Sequence, residues 1–161
     1  MTIVIRDAKP DDLEEILQLR MRLFEKLVDF NHGKGVDEDL LQATRTYFND
    51  AFQNGSCKTW VAQADGHIVA SGSLAIFVRP PYPGNVAGKD AYLLNMYTLA
   101  DYRKQGLARK ILQQAMQYAH EQGFAKIWLH ATEDGQALYA SEGFAPSSQY
   151  MEWEVKPEVA R

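Results

Sequence analysis

The hydrophobic pattern changes period several times along the chain. Thr2 to Arg6 alternates β-branched and other residues ahead of a charged aspartate and predicts a short strand. Pro10, Asp11 and Asp12 suit a helix first turn, because proline fits there and carboxylates suit the N-terminal dipole. Leu13, Ile16, Leu17, Phe24, Leu27 and Val28 follow as an apolar stripe at helical spacing, and Asn31-His32-Gly33-Lys34-Gly35 breaks it. A second helix is expected from Asp37 to Phe52, with Leu40, Leu41, Thr44 and Phe48 inward and Asn54-Gly55-Ser56 as its stop.

Period two then takes over. Lys58 to Ala64 and His67 to Val78 are β-rich runs joined by Asp65-Gly66, a strong hairpin signal. Arg79-Pro80-Pro81-Tyr82-Pro83-Gly84-Asn85 reads as a loop, since its prolines remove ladder donors. Ala91 to Thr98 (AYLLNMYT) is apolar on both faces and predicts a central strand. Ala108, Ile111, Leu112, Ala115 and Ala119 mark a helix that ends near Gln122, with Gly123 as its stop. Lys126 to Ala131 (KIWLHA) predicts another central strand, Gly135 to Ser141 a short helix, and Tyr150 to Val155 (YMEWEV) a last strand. The expected order is β-α-α-β-β-β-α-β-α-β. It describes an α/β (α+β) fold with a mixed, mostly antiparallel central sheet flanked by helices, in a single domain over 1–161.

Composition narrows the function. A 161-residue chain with 46% hydrophobic residues suits one globular domain. A net charge of −4 argues against nonspecific nucleic-acid binding, so any anion site must be local. No apolar run approaches the roughly 20 residues of a membrane helix, and the N-terminus lacks a secretory pattern; a cytoplasmic protein is expected. The single cysteine, Cys57, excludes an intramolecular disulfide, and the four histidines show no metal spacing, so no metal is expected.

One stretch runs against that acidic balance. YRKQGLARKIL, Tyr102 to Leu112, places Arg103, Lys104, Arg109 and Lys110 around Gly106 where a helix opens. Unpaired N–H groups at a helix start already carry partial positive charge, so cations there are unfavourable unless an anion joins them. Phosphate is the natural complement; a solvated basic helix end is the plainer alternative. Neither the Walker string nor G-x-G-x-x-G occurs.

With the preceding strand, R-K-Q-G-L-A resembles the R/Q-x-x-G-x-G/A signature of the GNAT superfamily of N-acetyltransferases, whose loop binds the pyrophosphate of acetyl-CoA. The resemblance carries Arg103, Gly106 and Ala108 onto the defining positions, and Lys104, Gln105, Leu107 and Arg109 onto backbone donors of the loop. It implies that Met96, Tyr97 and Thr98 pair through their main chain with the pantetheine arm. A second segment, GQALYASEGF from Gly135 to Phe144, resembles the family's A-x-x-LY-x-x-x-GF. There the tyrosine reaches the thioester sulfur, which implies Tyr139 as general acid to the departing thiolate. A phenol near pKa 10 matches such a leaving group. Many members carry asparagine seven residues before that tyrosine; this chain has Thr132.

The resemblance implies an acetyl-CoA-dependent N-acetyltransferase, with acetyl-CoA as co-substrate. A primary amine, in a small molecule or peptide, attacks the thioester directly through a tetrahedral intermediate. No nucleic-acid or membrane partner is expected; a homodimer is compatible with the fold. Some relatives place a glutamate base on the strand before the signature. Here that strand offers Asn95, with Asp90 ahead of it and His130 on the next strand. The acceptor side would include Phe24, Asn31, His32 and Tyr82, while Asp37, Glu38 and Asp39 read first as a solvated helix start. A rival reading is an acyl-CoA sensor that keeps the phosphate loop without transfer. The acceptor, the base and the length of the acyl chain stay open.

Overall fold

The computed structural model describes residues 2–27, 34–147 and 149–157. The broken segment at Asn31, His32 and Gly33, together with Val28 at the end of the stripe, lies outside the described residues. The chain divides into two compact units, 1–129 and 130–161.

The first unit is a five-stranded sheet with helices. Its strands are β1 (Ile3–Asp7), β2 (Cys57–Ala64), β3 (His67–Val78), β4 (Lys89–Thr98) and β5 (Ile127–Trp128), adjacent in that order. All neighbours are antiparallel except β4 and β5. Asp65 and Gly66 adopt φ of 50° and 81°, the left-handed pair that a two-residue hairpin requires. Helix α1 (Leu13–Lys26) follows a short 3-10 turn at Pro10–Asp12, and α2 (Glu38–Asn54) starts where the Asp37 carboxylate accepts from the Leu40 N–H at 2.8 Å. Leu13 and Leu17 of α1 pack with Phe48 and Ala51 of α2 and with Cys57, while Ile16 and Leu19 meet Val61 and Ile68 of the sheet. Helix α3 (Leu107–Glu121) buries Leu107, Ile111, Leu112, Ala115 and Ala119, and its Tyr118 meets Trp60 edge-on.

An ion pair fixes the entry to α1. Both guanidinium nitrogens of Arg6 reach Asp12, at 2.8 and 2.9 Å, and Asp12 also accepts from the Lys9 N–H at 2.7 Å. The Arg6 fork holds the Asp12 carboxyl below its ordinary range.

Two expected strands differ. Lys126 to Ala131 pairs with β4 only at Ile127 and Trp128, and it is an edge strand, not a central one. Asn95 bulges β4 on its β3 side three residues past the last rung shared with β5. Tyr150 to Val155 forms no strand among the described residues. Met151, Trp153 and Val155 are 94%, 85% and 79% exposed: alternation favours extended backbone, but a ladder also needs a partner.

The second unit holds α4 (Gln136–Ser141), entered through a 3-10 turn at Glu133–Gly135.

Candidate functional site

Ala91 and Tyr92 of β4 have β3 on one side and β5 on the other, whereas from Leu93 onward only β3 is paired among the described residues. The register slips between Ser71 and Ser73, where Asn95 takes a φ of 62°. Asn95 is buried; its amide donates to Ser73 Oγ at 3.4 Å, and its carbonyl accepts from Ser71 Oγ at 3.2 Å. Gly72 lies beneath this bulge. A Cβ there would fall 2.4 Å from Met96 Sδ and 2.6 Å from Ile111 Cγ2, so only glycine lets Met96 and α3 approach the sheet so closely. Met96, Tyr97 and Thr98 thus form the end of β4 whose second edge pairs with no strand among the described residues.

The basic turn follows directly. Arg103 folds back: its Nε donates to the Thr98 carbonyl at 3.0 Å, and its guanidinium carbon lies 5.5 Å from the centre of the Tyr97 ring. One predicted residue therefore ties the loop to the other predicted segment. Lys104 and Gly106 take φ of 61° and 77° on either side of Gln105, a geometry that turns successive N–H groups to a common side. Gly106 is the N-cap of α3, no side chain caps that end, and a Cβ on Gly106 would meet open space. Its glycine answers to backbone geometry and to room above the loop, not to crowding by the protein. Leu107 is buried and anchors the turn, while Arg103, Lys104, Gln105, Gly106 and Arg109 are exposed and Ala108 is half-buried. Exposed cations, uncapped N–H groups and open space suit a pyrophosphate.

Tyr139 lies in the second unit, on α4. Phe144 N–H donates to the Tyr139 carbonyl at 3.0 Å across Gly143, whose φ is 98°. That bond brings the Phe144 ring to 5.8 Å from the Tyr139 ring. On the other side, a Cβ on Gly135 would stand 2.9 Å from Tyr139 Cε2. The LY-x-x-x-GF spacing is thus a helix C-terminus that holds the tyrosine ring between Gly135 and Phe144.

The candidate bases have other company. Asp90 is 1% exposed; it accepts from the Trp128 indole at 3.1 Å and stands 3.1 Å from Arg79 Nε. The His130 ring lies 6.1 Å from the Tyr150 ring within the second unit. On the acceptor side, Tyr82 is 41% exposed in a loop bridged to Asn85, and Asn31 and His32 lie outside the described residues. A groove of about 860 Å³ between α1 and α2 is lined by Leu17, Met21, Glu25, Leu41, Arg45 and Tyr97. Among the described residues, no three His, Cys, Asp or Glu side chains are grouped to hold a metal, and no helix is long and apolar enough to cross a membrane.

The sequence reading passed over Arg20. It continues the Leu13–Leu17 line one turn further along α1, where an apolar residue was due, and its Nε is buried with no hydrogen-bond partner among the described residues. Its signal was a charge at i+7 of an apolar stripe.

The family model of the acetyltransferase (GNAT) family matches residues 13–144. The chain belongs to the GNAT family. A predicted acetyltransferase of Clostridium acetobutylicum, solved with acetyl-CoA, is 27% identical and superposes with a TM-score of 0.84, covering 95% of this chain and 96% of that one. A GCN5-related N-acetyltransferase of Ralstonia eutropha is 29% identical with a TM-score of 0.79, covering 96% and 99%. N-acetyltransferase 8 of Homo sapiens is 27% identical over 114 residues, covering 69% of this chain and 47% of its own length. The chain spans about half the length of the curated relatives it matches. The GNAT fold, with its mostly antiparallel sheet flanked by helices, matches the expected class.

Proposed function

We propose that this chain, acting as a single domain over 1–161, is an N-acetyltransferase that moves the acetyl group of acetyl-CoA to a primary amine. The observation that carries the reading is the loop from Arg103 to Arg109: uncapped N–H groups, left-handed residues at 104 and 106, and exposed cations beside an open strand edge. Its fit to a pyrophosphate is supported by the neighbour solved with acetyl-CoA. A single buried thiol suits a cytoplasmic setting.

The thioester supplies an already activated acetyl group, so the protein's part is positioning and charge stabilisation. The loop N–H groups of Gln105 to Arg109 hold the phosphates, and Arg103 braces that loop on Thr98. Main-chain groups of Met96, Tyr97 and Thr98 align the pantetheine arm along the open edge of β4, where an N–H also polarises the thioester carbonyl. The acceptor amine attacks in its neutral form, and the Tyr139 hydroxyl gives its proton to the leaving sulfur. The ring clasp of Gly135 and Phe144 fixes the direction of that hydroxyl. Asp90, engaged by Arg79 and Trp128, is not assigned as base.

Two variants test this. Gly106→Trp fills the open space above the loop, and calorimetric titration should show acetyl-CoA affinity falling about 100-fold or more; unchanged affinity removes the loop from the site. Tyr139→Phe should lower kcat about 100-fold with acetyl-CoA affinity within twofold, and a wild-type kcat removes Tyr139 from the chemistry. Wild-type protein that binds acetyl-CoA yet acetylates no amine in a broad panel is a sensor instead.

A further inference from the structure

The basic turn holds an unfavourable shape before any phosphate arrives. Lys104 carries a side chain, yet its φ is 61°, a conformation that persists only where the surroundings fix it. On the helix side the fixture is Leu107, buried in the first turn of α3. On the strand side it is Arg103, so the shape of the loop depends on what fixes Arg103.

Arg103 has no acidic partner among the described residues. Its backbone N–H donates to the Ala100 carbonyl at 3.3 Å across the 3-10 turn Ala100–Tyr102, which brings the residue back over the end of β4. There its Nε donates to the Thr98 carbonyl at 3.0 Å, its Nη2 donates to the Tyr97 hydroxyl at 3.4 Å, and its guanidinium carbon stands 5.5 Å from the centre of the Tyr97 ring. The ring is itself held from behind. Tyr97 pairs with Ser71, and Ser71 with Val61, so Tyr97 and Val61 share one face of the sheet. On that face the Tyr97 side chain packs against the cluster of Ile16, Leu19, Val61 and Ile68. A half-buried ring on a packed cluster keeps its place, and it gives the exposed cation a fixed seat.

We propose that the Tyr97 side chain is a positioning residue for the donor. It seats Arg103, Arg103 holds Lys104 in its left-handed form, and the N–H groups of the loop converge on the pyrophosphate site before the ligand binds. The main chain of Tyr97 serves the pantetheine arm, while its side chain acts on the phosphate end of the same molecule. A loop that must first be ordered loses affinity to that ordering, and a loop already ordered does not. The hydroxyl contact is long, so the ring carries most of the effect. This rests on the acetyl-CoA reading of the loop.

The test is a double-mutant cycle read by calorimetric titration with acetyl-CoA, which needs no acceptor. Tyr97→Leu keeps an apolar side chain on the cluster but removes the seat, and affinity should fall about tenfold. Tyr97→Phe keeps the ring and should stay within about threefold of wild type. Arg103→Met should lose about tenfold or more, and adding Tyr97→Leu to it should cost less than a further twofold, because the seat has nothing left to hold. Losses that multiply in the double variant overturn the proposal, since Tyr97 then acts without Arg103. So does Tyr97→Leu within twofold of wild type, or Tyr97→Phe as weak as Tyr97→Leu. Arg103→Lys reads the same seat without touching the packed cluster, and so decides the question even where Tyr97→Leu does not fold. It keeps the charge but gives up the Nε bond and the planar face, and should lose about tenfold; full affinity overturns the proposal. Failure of the wild-type chain to bind acetyl-CoA overturns the reading of the loop instead.

Discussion

The two halves of β4 share a strand but not a purpose. At Ala91 and Tyr92 the strand is paired on both sides, the preceding Asp90 is gripped by Trp128 and Arg79, and the Tyr92 ring lies tilted 4.5 Å from the Trp128 ring. From Leu93 to Thr98, among the described residues, one edge is unpaired and the Oδ1 of left-handed Asn95 has no hydrogen-bond partner. Asp90 Oδ2 makes no hydrogen bond but has its charge matched by Arg79, and this half of the strand is scaffold. Asn95 Oδ1 has neither kind of match, and the bulge separates the two regimes within three residues.

Substitutions on either side should behave differently. Asp90→Ala strands the Trp128 N–H and half-exposed Arg79, and should cost about 3 kcal/mol in urea unfolding, with acetyl-CoA affinity of the folded protein within twofold. A large loss of affinity there would erase the division between halves. Gly72→Ala pushes a methyl into Met96 and Ile111 and should cost about 2 kcal/mol, while raising the KM for acetyl-CoA several-fold because Met96 must move. Stability and KM changing together mark Gly72 as the seam between scaffold and site; a changed stability with an unchanged KM assigns it to scaffold alone. Asn95→Gly should change stability least, within about 1 kcal/mol, since glycine accepts the left-handed backbone and the lost amide bond is long. It should still raise the KM for acetyl-CoA several-fold, because the bulge sets the course of Met96, Tyr97 and Thr98, and an unaltered KM separates the bulge from that edge.

Much of the scaffold was legible because its signals are local. Asp65-Gly66 specifies a turn by backbone geometry alone, and Asp37 specifies a helix start by one hydrogen bond. What was not legible depends on neighbours distant in sequence. KIWLHA has the composition of a central strand, but a central place needs a strand on each side, and among the described residues only β4, some thirty residues earlier, pairs with it. YMEWEV alternates as a strand should, yet alternation says nothing about whether an edge is on offer. In the candidate site, the loop and the tyrosine segment were readable as linear motifs. Gly72, Asn95 and Arg20 were not, because their meaning arises across strands: a missing methyl opposite a methionine, an extra residue in one strand, and a cation with no anion opposite it.

Cys57 has a practical consequence. It is the chain's single cysteine, 8% exposed, and burial raises the pKa of its thiol, so little thiolate is present or reachable in the native protein. A disulfide chromogen added to an assay of the proposed acetyl transfer would therefore register the thiol of released coenzyme against almost no background from the protein. After denaturation the same reagent counts one equivalent per chain. The fold thus supplies its own concentration standard for the assay that tests it.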